Sequence, residues 1–256
     1  MKLSQVAIQL YTLREFCKTE QEYADTLKRV RQIGYQAIQI SGVGPIPAER
    51  LRQIADDEGL AIAATHEPTP ALLEQPEAII ERLNVLGTKY TAFGSTGMKD
   101  LADICAVREF LRKAEASAEK FAAAGKVLAY HNHAIEFYHY EPRKTVFQMI
   151  FEETKHLQAE LDTFWVQAGG ANPEAEIRKL AGRLPLLHIK DFGVTSTGER
   201  YFAEIGYGNL DFAALIAAGE AAGCEWFIVE QDRCPGDPFE SIAKSFNYIK
   251  ENLVSE

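Results

Sequence analysis

The sequence predicts an α/β protein closed into a (β/α)8 TIM barrel, and three observations carry that prediction. Short runs rich in Val, Ile and Leu alternate with amphipathic stretches eight times. The length of 256 residues suits eight strand-helix units. Polar residues able to do chemistry stand where the last four apolar runs end. Alternation of this kind implies parallel strands joined by right-handed crossovers, which leaves a closed barrel or an open doubly wound sheet. The usual sign of the open sheet, a glycine-rich turn after the first strand, is missing, because Tyr11-Thr12-Leu13-Arg14 occupies that place. With no linker and no low-complexity stretch, residues 1–256 read as one barrel domain.

Val6 to Leu10 has the pattern of the first strand. Thr19, with Glu22 three residues on, forms a capping box that opens a helix carrying Tyr23, Leu27 and Val30 at helical spacing, and Gly34 stops it. Ala37 to Ile40 is the second strand, followed by a helix from near Pro47 that ends before Gly59. Leu60 to Ala64 gives the third strand, then a loop with His66-Glu67-Pro68, then a helix from Pro76 to Leu86 closed by Gly87. Tyr90 to Phe93 leads through Gly94-Ser95-Thr96-Gly97 into a long helix from about Leu101 to Ala124. Strands five to eight are Val127 to Tyr130, Leu157 to Leu161, Leu186 to Ile189 and Phe227 to Val229. Helices near Thr145 to Glu153, Pro173 to Leu180 and Phe212 to Ala222 separate them, and a last helix from Pro238 places Ile242, Phe246, Ile249 and Leu253 on one face.

Composition narrows the partners. A net charge of −10 gives no electrostatic reason to bind nucleic acid or an anionic membrane, so a small neutral or weakly charged substrate is expected. Cys17, Cys105, Cys224 and Cys234 are scattered, without a Cys-x-x-Cys pair, and read as free thiols of a reducing compartment. Met1 to Leu10 lacks the pattern of a signal peptide, and no stretch approaches the roughly 18 apolar residues of a membrane span. The expectation is a cytoplasmic protein.

The strand ends carry the chemistry. Asp162 follows Leu161 at the end of strand six, where it either caps a helix or faces the barrel mouth; with no clear helix before Pro173, Trp165 to Gly170 reads as an active-site loop. His188 and Lys190 share one face of strand seven by period-two alternation. Glu230 follows Phe227-Ile228-Val229 directly, and a carboxylate there is costly unless paired, with Arg233 or Lys190, or metal-bound. After strand five, Tyr130-His131-Asn132-His133 places two imidazoles on one face, suited to proton transfer near neutrality, and Glu136 follows closely. Carboxylates mixed with imidazole suit a divalent ion such as Mn²⁺ or Mg²⁺. The metal ligands expected are Asp162, His188, Glu230 and a fourth: Glu136 by chemistry, or His131 or His133 by position. His66, Gln9, Glu204, Arg233 and Trp165 are weaker candidates for holding substrate, and Trp165 and Phe202 either wall the pocket or are plain core.

These residues resemble the xylose-isomerase-like barrels, the sugar phosphate isomerase/epimerase superfamily. The resemblance runs over essentially the whole chain and is strongest in Tyr130 to Phe137, Leu161 to Gly170, Pro185 to Asp191, Phe202 to Asp211 and Ile228 to Pro238. It implies a divalent cofactor, most readily Mn²⁺ with Mg²⁺, Co²⁺ or Zn²⁺ as alternatives, held after strands five to eight. It also implies homo-oligomers and a sugar or polyol substrate. Many members carry a glutamate where this chain has His131 or His133, and the His-Asn-His run is closer to dehydratase-like members. The resemblance thus implies a metal-dependent isomerase or epimerase that removes a proton beside a carbonyl, with His133 or His131 as base and Glu230 or Lys190 returning the proton. A lyase of the inosose dehydratase type is the alternative. A metal-dependent phosphodiesterase would need more ligands and a basic surface, and a non-catalytic barrel would bind no metal.

Overall fold

A computed structural model of the chain describes residues 1–95, 97, 98 and 100–254. Thr96, expected in the loop after the fourth strand, lies outside the described residues. The elements run β1 (Val6–Gln9), α1 (Glu20–Ile33), β2 (Ala37–Ile40), α2 (Ala48–Asp57), β3 (Ala61–Glu67), α3 (Thr69–Glu74), α4 (Pro76–Leu86), β4 (Tyr90–Phe93), α5 (Ile104–Ala123) and β5 (Val127–His131). They continue with β6 (His139–Glu141), β7 (Lys144–Thr145), α6 (Val146–Glu152), β8 (Gln158–Asp162), α7 (Thr163–Ala168), α8 (Pro173–Lys179), β9 (Leu186–Ile189), β10 (Asp191–Val194), β11 (Arg200–Ala203), α9 (Phe212–Ala222), β12 (Trp226–Val229) and α10 (Pro238–Asn252). Eight parallel strands close into a barrel in the order β1, β2, β3, β4, β5, β8, β9, β12 and back to β1. The expected TIM barrel is therefore the fold.

Local chemistry sets the element ends. Thr19 caps α1 in a full capping box with Glu22, and Gly34 ends it at φ 123°, a conformation that favours glycine. The helix expected from Leu101 begins at Ile104 instead, because the Asp103 side chain accepts the Ala106 N–H at 3.0 Å and fixes the start there. Two elements differ from expectation. Strand β3 runs on to Glu67, and the short helix α3 follows it directly. Thr163–Ala168, read as a loop, is helix α7, capped by Asp162.

Alternation along each barrel strand sorts residues into two cores. Outward side chains such as Ile8, Ile38, Leu161, Leu187 and Phe227 pack beneath the helices, and each is fully buried. The barrel interior holds a separate cluster of nine residues, six of them alanine (Ala7, Ala37, Ala63, Ala64, Ala92 and Ala129), with Tyr90, Leu186 and Ile228. Above this apolar floor the same alternation brings up a polar layer: Gln9 two residues after Ala7, Gln39 after Ala37, His131 after Ala129 and His188 after Leu186. The last layer, at the C-terminal mouth, takes Asp162, Lys190 and Glu230. Replacing the fully buried Phe227 by alanine should cost about 3–5 kcal/mol of unfolding free energy; urea denaturation measures it, and a loss below about 1 kcal/mol would contradict this packing.

Candidate metal centre

Register across neighbouring strands brings the mouth groups together. Asp162 on β8 stands opposite His188 on β9, and His188 stands opposite Ile228 on β12, two residues before Glu230. Each of His131, Asp162, His188 and Glu230 is buried, and each offers one ligand atom within 4.8 Å of the others. His188 Nδ1 lies 2.8 Å from Glu230 Oε2 and 4.0 Å from Asp162 Oδ2, while His131 Nε2 lies 3.9 Å from the same Asp162 oxygen. Asp162 divides its two oxygens: Oδ1 accepts the Trp165 N–H at 2.9 Å as the cap of α7, and Oδ2 turns into the cluster, where the Lys190 ammonium lies 3.0 Å away. Capping a helix and facing the barrel mouth, the two alternatives for this residue, are thus one arrangement. Two buried carboxylates and two imidazoles whose donor atoms converge within 4.8 Å are a donor set that fits a divalent cation.

The cluster is held by one internal cation. The Lys190 ammonium, 1% exposed, lies 3.0 Å from Asp162 Oδ2, 3.0 Å from Glu230 Oε2 and 2.6 Å from Asp232 Oδ2. Burial alone would lower its pKa, but these three carboxylates outweigh burial and raise it above the ordinary lysine value. Burial would likewise raise Glu230, yet Lys190 and His188 hold it well below the usual carboxylate range. Asp162 goes the other way: burial, with Glu230 adding to it, overcomes Lys190 and lifts it to about 6. Burial lowers His188, but Glu160 and Glu230 more than compensate and carry it to about 10. The Lys190 ammonium and His188, protonated at pH 7 at that value, face three carboxylates and leave one negative charge unmatched, which a bound cation would offset.

His133 stands beside the cluster in a different state. Burial first, then the Lys190 charge, pull it down to about 4, so the imidazole is neutral at pH 7 and can accept a proton. Its ring lies 5.0 Å from that of His131 and 5.4 Å from that of Trp165. A cavity of about 390 Å³ opens over this group, lined by His66, His131, His133, Glu230 and Asp232 with Tyr11, Ser41 and Glu67 on its rim. That volume falls in the range of small-molecule sites. A larger hollow of about 560 Å³ lies at the opposite end of the barrel, but its charged groups are already engaged, Arg52 with Asp56 and Lys89 with Glu225.

Several expected site residues are placed elsewhere. Glu136, the fourth ligand favoured by chemistry, turns away: its carboxylate accepts the Tyr130 O–H at 2.9 Å and the His133 backbone N–H at 2.7 Å. The reason is local, because Ala134 to Phe137 form a 3-10 turn that folds Glu136 back onto its own cap. His131, at the end of β5, reaches the cluster instead. Glu204 binds Ser241 and Lys244 of α10, drawn there by the lysine charge. Arg233 is exposed, since the chain has left the barrel wall by that point. Gln9 lies inside the barrel, with its Oε1 on the Tyr11 N–H and its Nε2 without a partner, and Trp165 packs at the mouth against Phe164 and Phe202.

Two residues the sequence reading passed over belong to the layer below. Glu160 on β8, fully buried, lies 2.5 Å from His66 Nε2 through Oε2, and Gln39 on β2 donates to its Oε1 at 2.7 Å. The signal was available: Glu160 precedes Asp162 by two, the period that puts both on the inner face. Asp191, by contrast, alternates outward and accepts the N–H groups of Phe192, Gly206, Gly208 and Leu210, fixing the loop after β11. A Cβ on Gly208 would meet Asp191 Oδ1 at 2.4 Å, so that approach requires glycine.

The model of the xylose isomerase-like TIM barrel family matches residues 27–252. Among solved structures, a sugar phosphate isomerase/epimerase from Parabacteroides distasonis is 20% identical, with a TM-score of 0.80 over 97% of this chain and 98% of that one. The 3-keto-D-glucoside 4-epimerase of E. coli is 16% identical, with a TM-score of 0.68 over 96% and 99%. A xylose isomerase-like barrel from Mycobacterium smegmatis in complex with magnesium is 15% identical, with a TM-score of 0.75 over 98% and 97%. At these identities the likeness shows the fold. No curated protein matches the chain.

The position of Glu136 has a measurable consequence. Burial raises its carboxyl from 4.5 to about 7, against the bonds from Tyr130 and His133. The folded state therefore holds a proton that the unfolded chain releases, and the associated stability is full below about pH 4.5 and lost as pH rises through 7. At about 1.4 kcal/mol per unit the loss approaches about 3 kcal/mol. Glu136→Gln should remove it, so the variant should gain stability relative to wild type between pH 5 and pH 8 in urea titrations. An equal difference at both pH values would contradict this placement.

Proposed function

The chain belongs to the xylose isomerase-like TIM barrel family, and on that premise we propose that it is a divalent-metal-dependent sugar or keto-polyol isomerase/epimerase acting by proton removal beside a carbonyl. One observation carries the reading: a buried cluster of His131, Asp162, His188 and Glu230 stands next to a neutral imidazole, His133, at the mouth of the barrel. A divalent ion, Mn²⁺ in this proposal, supplies Lewis-acid stabilisation of the negative charge that develops on the substrate oxygens.

The protein's own groups divide the remaining work. His133 accepts the proton from the carbon, since its lone pair is free at pH 7. Lys190 is the proton-bearing partner, while Glu230 stays ionised between Lys190 and His188 and cannot serve as an acid in that state. Trp165 and Phe202, whose ring centres lie 5.6 Å from the Lys190 Nζ, shield that corner from water. Return of the proton to the opposite face gives epimerisation, and delivery to the neighbouring carbon gives isomerisation. A lyase is the second reading, favoured by His131 at the cluster position where a carboxylate would double as acid/base; loss of a β-hydroxyl from the enediolate that proton removal leaves gives dehydration.

Solvent deuterium incorporation into ketoses, keto-inositols and 3-keto-glycosides tests the reading. The Mn²⁺-loaded protein should exchange a carbon-bound proton. Asp162→Ala with His188→Ala should abolish exchange, and His133→Ala should slow it by about 10²- to 10⁴-fold. Undiminished exchange after chelation, or in the double variant, would contradict it.

A further inference from the structure

Beneath the mouth lies a carboxylate that the proposed chemistry does not use. Glu160 is 0% exposed and sits among three imidazoles: His66 Nε2 at 2.5 Å, His188 Nε2 at 3.2 Å and His131 Nδ1 at 3.7 Å. With imidazole nitrogens and a side-chain amide as its neighbours, its carboxylate is placed to accept hydrogen bonds. Its Oε1 takes the Gln39 Nε2 N–H at 2.7 Å, and that bond fixes which way the Gln39 amide points. With its NH₂ committed to the carboxylate, Gln39 presents Oε1 to His188 Nε2 at 2.7 Å. The opposite amide orientation would set two oxygens against each other.

We propose that Glu160 is a positioning residue for the cation centre, acting on His188 directly and through Gln39. This inference rests on the reading of the mouth cluster as a cation site. A cation can take His188 only through the lone pair of Nδ1, the nitrogen that faces Asp162 and Glu230. The remaining ring proton then belongs on Nε2, and Glu160 and Gln39 Oε1 are the acceptors that keep it there. Glu160 thus selects the ring nitrogen that His188 offers to the mouth.

The test is Mn²⁺ binding by the chelator-stripped full chain, followed by calorimetry for affinity and by electron paramagnetic resonance for stoichiometry, with thermal melts to confirm folding. Wild type should bind one ion per chain. Glu160→Gln and Gln39→Leu should each weaken binding by about 10- to 100-fold, and the double variant should lose less than the product of the two, since both act through one hydrogen-bonded chain. Gln39→Leu carries the reading if Glu160→Gln fails to fold. Unchanged affinity in folded variants overturns the inference alone, as do two ions per wild-type chain falling to one on loss of Glu160. Wild type that binds no Mn²⁺ overturns the proposed function and this inference with it.

Discussion

The structure depends on one constraint: four carboxylates, Glu160, Asp162, Glu230 and Asp232, gather at one end of a barrel whose floor is apolar. Buried carboxylates are tolerated only when counter-charges and donors stand within hydrogen-bond reach. Lys190 meets that requirement for three of them, and His66, His188 and Gln39 meet it for the fourth. Removing Lys190 would leave Asp162, Glu230 and Asp232 facing one another in a site with little water. The polar residues on and just after strands β8, β9 and β12 are therefore a single ion-paired unit.

The small side chains of the floor make room for that unit. Six alanines line the barrel below the polar layer, where bulky branched residues are the common filling of this fold. Alternation then places a polar residue two positions above an apolar one on strand after strand. Floor, polar layer and mouth follow from the period of a β-strand and the register of its neighbours. The loops add a second order of control: Asp162 ties its strand to α7, Asn132 Oδ1 accepts the Asp162 backbone N–H at 2.9 Å, and Asp191 gathers the loop that follows β11.

Much of this was legible in the chain, because strand periodicity and capping chemistry are local. The eight strands, the capping box at Thr19 and the inward face shared by His188 and Lys190 follow from spacing alone. Glu160 was missed although it lies on the inner face of the same strand as Asp162, because a carboxylate inside a strand reads as an outward polar residue until the register is known. Helix α7 was missed because its apolar residues do not extend far enough to establish a helical period. Glu136 turns from the mouth for a different reason: its carboxylate folds back onto the His133 N–H that caps its 3-10 turn, and the Tyr130 O–H holds it there, a contact that no spacing rule encodes.

The measurement that tests the central claim most directly is anomalous diffraction from a crystal grown with Mn²⁺. The account predicts one anomalous peak at the barrel mouth, liganded by His131 Nε2, Asp162 Oδ2, His188 Nδ1 and Glu230, with Glu160 hydrogen-bonded to His188 from below. A peak liganded by Glu136, a peak in the lower group around Glu160 and His66, or Mn²⁺ bound away from the barrel mouth would contradict it.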